Sequence, residues 1–234
     1  MRTCHDPALL CRQGSLLLCL ISLLYGLLTP VALLAHTLSW SLDYTPPEPG
    51  TYTLPVIKPA MDGEVLDAAG ARKRLFDYMD NKIVLLSFIY TRCSDARGCP
   101  LATGVFYSLA EALQHDPVPA QNVRLLTLSF DPEHDTPARM RRYAGAAGAG
   151  KTSTLWHTLT TASRHTLQPL LDGYGQYVVP LPDVPQGSPG AYTHLLKVFL
   201  IDQQQRVRNI YSVDFLHPQV LLNDIKTLLM TDHR

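Results

Sequence analysis

Two cysteines lie at positions that favour thiol or metal chemistry. Cys93 follows the apolar run Ile83–Tyr90, and Cys99 comes after five intervening residues and directly before Pro100. Proline is favoured at the start of a helix, so Cys99 is expected at a helix N-terminus. The spacer lets the loop fold back into a disulfide, and it also lets two thiolates diverge around a metal ion. The pair is therefore open to three interpretations: a structural disulfide, thiol–disulfide exchange, or metal binding coupled to redox state.

The N-terminal part of the chain indicates export. The segment Gly14–Ala35 is apolar, contains no Asp or Glu, and follows Arg2 and Arg12. Its length suits a membrane span, which needs roughly 20 residues, and the arginines place the N-terminus in the cytoplasm. A cleaved signal peptide has a similar layout. We expect residues 1–39 to be an inner-membrane anchor with the domain facing the periplasm, or a signal peptide that leaves the domain in the periplasm.

One domain is expected after this leader. Residues 40–50 contain three prolines and predict a semi-rigid linker, and residues 51–234 suffice for one domain with a full core. The remaining cysteines lie in or before the leader: Cys4, Cys11 and Cys19. The domain therefore carries a single thiol pair, in a compartment where disulfides persist. A formal net charge of zero and the lack of a basic stripe in the sequence give no case for nucleic-acid binding.

Hydrophobic patterning predicts strands that alternate with helices. The predicted strands are Thr51–Ile57, Gly63–Leu66, Ile83–Tyr90, Val123–Phe130, Leu155–Leu159, Leu195–Ile201 and Arg206–Tyr211. The predicted helices are Leu101–Gln114, Ala138–Ala146, Arg164–Leu171 and Pro218–Met230. The first two strands are expected to pair with each other, and the last two to form a hairpin. This element order is that of thioredoxin, and it predicts an α/β sandwich with an N-terminal strand pair.

The connection between the two most apolar strands determines where the thiols lie. A right-handed crossover places both strand ends on one edge of the sheet. Cys93 is then in the loop that leaves the first strand, and Cys99 is at the start of the following helix. Because a helix N-terminus carries unpaired amides and partial positive charge, it favours a thiolate. On this argument Cys99 is expected to be the more acidic thiol.

Three segments of the sequence resemble one known family. The run FIYTRCSDARGCPLAT around the thiols is similar to the Sco/SenC family of membrane-anchored, thioredoxin-fold copper proteins. LLTLSFDPEHDTP at Leu125–Pro137 resembles the family's strand and following turn, and Tyr192-Thr-His194 resembles the segment that carries its histidine ligand. The resemblance covers roughly Leu54 to Leu229. It implies copper as the bound metal, with Cys93, Cys99 and His194 as the ligands.

The sequence departs from the family pattern at two places near these residues. Five residues separate the cysteines where the family has three, which indicates a two-residue insertion within Ala96–Gly98. Thr193 stands directly before His194, where the family usually has Asp. Asp95, two residues after Cys93, does match an acidic position of the family.

The resemblance implies a function in the assembly of a respiratory copper enzyme. The protein would support the copper centre of cytochrome c oxidase or a related enzyme, with the oxidase's copper subunit as its protein partner. It would deliver either copper or reducing equivalents. Two alternatives stay open: an enzyme that catalyses thiol–disulfide exchange without a metal, and a redox or copper sensor that acts through protein contacts.

Other motifs in the chain give no support for a different function. Gly145–Thr152 fits the phosphate-binding pattern G-x-x-x-x-G-K-[ST], but it follows a predicted helix instead of a strand, so no nucleotide is expected there. Asp131 and Asp135 are expected to cap the helix that follows them. The sequence contains no G-x-S-x-G or H-E-x-x-H motif. Five other histidines of the domain show no shared metal-ligand spacing: His115, His134, His157, His165 and His217.

Overall fold

The computed structural model describes residues 42–145 and 155–231. The predicted leader, including Gly14–Ala35, lies outside the described residues, as does all of the Gly145–Thr152 motif except Gly145. Within the described ranges, no helix is both long enough and apolar enough to cross a bilayer.

The described residues form strands and helices in alternation. The strands are β1 Lys58–Pro59, β2 Glu64–Leu66, β3 Arg72–Arg74, β4 Ile83–Ile89, β5 Val123–Ser129, β6 Trp156–Leu159, β7 Val178–Pro180, β8 Tyr192–His194, β9 Val198–Ile201 and β10 Arg206–Tyr211. The α-helices are α1 Cys99–Gln114, α2 Pro117–Asn122, α3 Pro137–Ala144, α4 Arg164–Tyr174 and α5 Pro218–Thr231. Short 3₁₀ turns occupy Leu75–Tyr78 and Val213–Phe215.

The central sheet is built around β4. Its six strands run in the order β1-β10-β9-β4-β5-β6. β4 pairs in parallel with β5, and β5 pairs in parallel with β6, whereas β9 runs antiparallel to β4. All seven residues of β4 are buried, as expected of a strand that is covered on both faces. The strand pattern predicted for this part of the chain is therefore confirmed, with ends that shift by at most three residues.

Helices cover both faces of this sheet. Alternate residues of β4 point to opposite sides, so that Leu85 contributes to one hydrophobic core and Phe88 to the other. The first core is shared with α1 and α5, and the second with α3 and α4. This two-sided packing confirms the predicted thioredoxin-like α/β sandwich.

The predicted N-terminal strand pair is wrong in its partners. Thr51–Ile57 forms no strand, and β2 pairs instead with β3, a strand that was not predicted from the sequence. The short β1 pairs with β10 at the edge of the central sheet. Pro55 interrupts the Thr51–Ile57 run and provides no amide hydrogen, and Val56 and Ile57 are exposed, so this run lacks the buried face that a strand needs.

Two further elements were not foreseen in the sequence. The helix α2 begins at a proline and follows α1 after a short turn. The ribbon β7–β8 is a separate two-stranded sheet, with Val178 opposite His194. Because strand β8 is only three residues long, its hydrophobic pattern is too short to recognise, and His194 is its last residue.

The end of the predicted linker contacts the last helix. Asn223 Nδ2 donates to the Pro47 carbonyl oxygen at 2.8 Å, and the Gly50 backbone amide donates to Thr227 Oγ1 at 3.0 Å. Close by, the Tyr52 hydroxyl donates to Asp224 Oδ1 at 2.5 Å. Residues 47–52 are thus held against α5, so the last part of the predicted linker 40–50 packs on the domain.

A buried carboxylate closes the β9–β10 hairpin, and its removal should cost stability. Asp202 is fully buried and accepts from Arg206 Nε and Arg208 Nη1, each at 2.8 Å. Burial alone would raise the pKa of Asp202, but these hydrogen bonds outweigh it and lower the pKa. We predict that Asp202→Asn lowers the free energy of unfolding at neutral pH by about 2–3 kcal/mol, measured by urea denaturation.

The same substitution should change how stability depends on pH. A carboxyl group whose pKa is lower in the folded state stabilises the fold above its unfolded pKa, and this contribution is lost as the pH falls through the folded pKa. Asp202→Asn should therefore lose less stability on acidification than the unmodified protein. Asp80→Asn, which removes an exposed carboxylate, is the matched control. Equal acid dependence in Asp202→Asn and the unmodified protein would contradict the assignment.

Candidate metal centre

Three side chains that were selected from the sequence meet at one edge of the central sheet. Cys93 lies in the loop after β4, Cys99 is the first residue of α1, and His194 ends β8. One ligand atom from each lies within 4.8 Å of the other two, and Cys99 Sγ is 3.5 Å from His194 Nε2. Both thiols are free. The structure therefore brings together the two residues predicted from their spacing and the third one implied by resemblance.

The loop between the cysteines closes as a compact turn. Asp95 Oδ1 accepts from the Arg97 amide at 2.9 Å, and the Gly98 amide donates to the Asp95 carbonyl oxygen at 2.9 Å. A Cβ atom at Gly98 would lie 3.3 Å from Cys93 Sγ, so glycine allows the closest approach of the sulfur. The longer spacer thus still returns Cys93 to Cys99. The Arg97 side chain makes an exposed ion pair with Asp214 at 2.9 Å.

The two thiols differ in acidity, in the opposite sense to the prediction. The pKa of Cys93 is lowered to about 6, mainly because the Cys99 thiol donates a hydrogen bond to it. The pKa of Cys99 is raised by that same hydrogen bond and by burial, since this residue is only 1% exposed. The expectation that Cys99 is the more acidic thiol is therefore wrong. Its place at the helix start does not compensate for the hydrogen bond to Cys93 and the removal of its sulfur from water.

His194 presents a neutral imidazole to the thiols. It is half-buried, and burial lowers its pKa below the usual value, while the charge of Asp95 acts in the opposite direction. A neutral imidazole has a free lone pair, which is the form that binds a metal. The His194 ring packs against Phe130 at 4.9 Å and against Tyr90 at 5.9 Å between centroids. These aromatic side chains, which were not selected from the sequence, form one wall of the site.

Asp131 and Asp135 do not cap a helix, contrary to the prediction. Thr136 is the N-cap residue of α3, and its side chain accepts from the Arg139 amide. Asp135 is fully buried and turns back to the end of β4, where it accepts from the Thr91 amide at 2.9 Å. Asp131 is 1% exposed and accepts from side chains next to the thiol loop. The feature of the sequence that could have indicated these contacts is the pair of aspartates in the turn after β5, at the same sheet edge as the cysteines.

The other histidines are not part of a metal-binding group. His134, for which the sequence offered no link to the thiols, bonds Asp131 Oδ1 through Nδ1 at 2.9 Å. Across residues 42–145 and 155–231, Cys93, Cys99 and His194 are the one cluster of Cys, His, Asp and Glu side chains that could hold a metal ion.

The unequal thiols should be visible in their rates of alkylation. In the reduced, metal-free protein, iodoacetamide should modify Cys93 well before Cys99, because the thiolate is the reactive form and Cys99 is buried and protonated. The rate at Cys93 should rise with pH through a midpoint near 6, as its lowered pKa requires. Peptide mass spectrometry separates this pair from the three leader cysteines.

Two variants isolate the hydrogen bond between the thiols. Cys99→Ala removes the donor, so the midpoint for Cys93 should move up towards that of an ordinary thiol. Cys99→Ser keeps a hydroxyl donor, so the midpoint should stay low. Equal alkylation rates at Cys93 and Cys99 in the unmodified protein would refute the assigned asymmetry.

Comparison with known proteins places this arrangement in a family. The sequence profile of the SCO1/SenC family matches residues 65–230, which confirms the resemblance noted from the motifs. Curated protein sequences give no match.

Solved structures with the same fold include three Sco-type proteins. Bradyrhizobium japonicum ScoI with copper bound is 22% identical, with 73% of this chain and 99% of that chain covered and a TM-score of 0.59. A SCO1/SenC family lipoprotein from Bacillus anthracis is 20% identical, with 74% and 95% covered and a TM-score of 0.60. BsSco, a Sco-family cytochrome c oxidase assembly protein with a disulfide switch, is 20% identical, with 75% and 96% covered and a TM-score of 0.58. At these identities the likeness shows the fold, and the matched profile over residues 65–230 shows that the chain belongs to the SCO1/SenC family.

Proposed function

We propose that this protein is a membrane-tethered copper-binding protein that supports assembly of the copper centre of cytochrome c oxidase or a related respiratory enzyme. The observation that carries the proposal is the meeting of Cys93, Cys99 and His194, with ligand atoms within 4.8 Å of one another. Copper is the cargo of this site. Bradyrhizobium japonicum ScoI, which has the same fold, is known with copper bound.

The chemistry of the three donors suits copper in both oxidation states. Thiolates are soft ligands that favour Cu(I), and the imidazole of His194 adds a donor that Cu(II) accepts well. Cys93 and His194 are only partly buried, so an ion at this position stays within reach of a partner protein. Three protein ligands leave room for a ligand from that partner, which is what handing over the metal requires.

The same thiols provide a second way to assist a copper centre. Oxidation of Cys93 and Cys99 to a disulfide releases two electrons and two protons, which reduce a disulfide on the partner to two thiols. The recipient we propose is the copper subunit of the oxidase, whose cysteines need to be reduced before they bind metal. BsSco is described as a cytochrome c oxidase assembly protein with a disulfide switch, which supports a link between thiol redox state and assembly.

The proposed location is the outer face of the inner membrane. Residues 1–39 would serve as the anchor, with the domain in the periplasm, or as a signal peptide that releases it there. The family lipoprotein of Bacillus anthracis supports attachment to a membrane surface. In either arrangement the thiols face an oxidising compartment, where a thiol pair can form a disulfide.

One alternative is favoured by a specific observation. The hydrogen bond from the Cys99 thiol holds the pKa of Cys93 at about 6, which makes Cys93 a nucleophilic thiolate at neutral pH. A partly exposed thiolate beside a buried thiol is the arrangement that thiol–disulfide oxidoreductases use for attack and resolution. The alternative function is therefore thiol–disulfide exchange without a metal.

Copper titration separates the two functions. In reduced full-length protein with Cys4, Cys11 and Cys19 changed to Ser, we expect equimolar binding of Cu(I) and of Cu(II). Cys93→Ala should abolish stoichiometric binding of both ions, because a single thiolate remains. His194→Ala should abolish Cu(II) binding and weaken Cu(I) binding less, because both thiolates are kept. Binding is measured by absorption of the thiolate–copper complex and by competition with a chelator.

The matched control is His165→Ala, which removes an exposed histidine on α4 away from the cluster and should bind copper as the unmodified protein does. Failure of the unmodified protein to bind copper, together with retained reduction of a model disulfide, would overturn the copper function in favour of thiol–disulfide exchange.

A further inference from the structure

The proposed histidine ligand lies on an element with little support of its own. β8 is three residues long and pairs with β7 in a ribbon that is separate from the central sheet. A two-stranded ribbon of this length is not stable without tertiary contacts. Cys93, in contrast, lies in the loop directly after β4, and Cys99 begins the helix that follows this loop. The distance between His194 and the thiols therefore depends on what holds the ribbon to the loop after β4.

A buried carboxylate connects the two segments. Asp131 Oδ2 accepts from Arg92 Nη2 at 3.0 Å, and Arg92 is the residue before Cys93. Asp131 Oδ1 accepts from the Tyr192 hydroxyl at 3.1 Å, and Tyr192 is two residues before His194. Tyr192 is 7% exposed and Asp131 is 1% exposed. Hydrogen bonds to a charged group in such an environment are stronger than those on the surface.

Arg92 and Tyr192, both partners of Asp131, make further contacts around the site. Arg92 also donates to the Gly187 carbonyl oxygen, and its own carbonyl oxygen accepts from the Gly190 amide at 3.4 Å, both in the segment that leads into β8. The Tyr192 ring packs edge-on against Tyr90 at 5.3 Å and Phe130 at 5.6 Å. Those two rings are the ones that contact His194.

We infer that Asp131 is a positioning residue that fixes the ribbon carrying His194 relative to the loop carrying Cys93, and so determines whether the imidazole joins the thiolates in one ligand set. The inference rests on the proposed copper function for its metal readout. Asp131 itself contacts Arg92, Tyr192 and His134, and it acts on the site through the first two. His134 completes the hydrogen bonding of the same carboxylate from the solvent side.

Loss of this connection should affect the two oxidation states of copper unequally. Cu(I) is satisfied by two thiolates, whereas Cu(II) depends on the nitrogen donor. Asp131→Asn keeps the shape of the side chain but removes the charge that Arg92 and Tyr192 bind. Residues that orient a ligand typically change metal affinity by roughly 10–100-fold when they are replaced. We therefore expect Cu(II) affinity to fall by about tenfold or more, with a much smaller change for Cu(I).

The experiment compares Cu(I) and Cu(II) affinities and the electron paramagnetic resonance spectrum of the Cu(II) complex in full-length Asp131→Asn. Tyr192→Phe removes only the hydroxyl and keeps the ring, so it should change the same properties in the same direction by less. The effects of the two substitutions in the double variant should be less than additive, because both break the same connection. Asp202→Asn and Tyr211→Phe are the matched controls, since each alters a buried Asp or Tyr hydrogen bond away from the thiols.

A second readout needs no metal. In the reduced apo-protein, amide hydrogen exchange at Tyr192–His194 should be faster in Asp131→Asn than in Asp202→Asn, even if both variants lose similar global stability. Unchanged Cu(II) affinity and spectrum in Asp131→Asn, beside loss of Cu(II) in His194→Ala, would overturn the inference and leave the copper function standing. If the unmodified protein binds no copper, the function fails, and unchanged exchange at β8 would then overturn the positioning role independently.

Discussion

Burial of β4 on both faces is the constraint on which the rest of this structure depends. Its seven residues are buried, and it pairs with β5 on one side and β9 on the other. A strand in that position cannot shift by a residue without exposing an apolar side chain or leaving backbone groups unpaired. The place where β4 ends is therefore fixed, and so is the origin of the loop that contains Cys93.

The thiol site illustrates how burial and a local field compete. Helix starts favour anions, and Cys99 stands at one, but its sulfur is enclosed by the core and keeps its proton. The Cys99 thiol donates a hydrogen bond to Cys93, which is nearer to solvent and becomes the more acidic of the two thiols. The result is a site with one accessible thiolate and one protected thiol, an asymmetry useful both for metal transfer and for disulfide exchange.

Much of the central sheet could be predicted because its strands are long and strongly patterned. Ile83–Ile89 and Val123–Ser129 are largely apolar strands of seven residues each, and their parallel pairing follows from the helix between them. The N-terminal pairing could not be predicted, because β1, β2 and β3 are two or three residues long. In such short strands the partner is chosen by tertiary contacts.

The role of residues 1–39 and the ligand roles of Cys93, Cys99 and His194 stay predictions.

The sequence by itself determined the fold class, the family and the two thiols, because these depend on local patterns: an apolar strand, a cysteine on either side of a turn, and a proline at a helix start. Only the tertiary structure decided which thiol is acidic, since the hydrogen bond between the thiols and the burial of Cys99 are properties of the packed protein. It also decided that Asp131 joins Arg92 to Tyr192, residues that are 100 positions apart in the chain. Contacts at that separation leave no periodic signal in a single sequence, and they place His194 beside the cysteines.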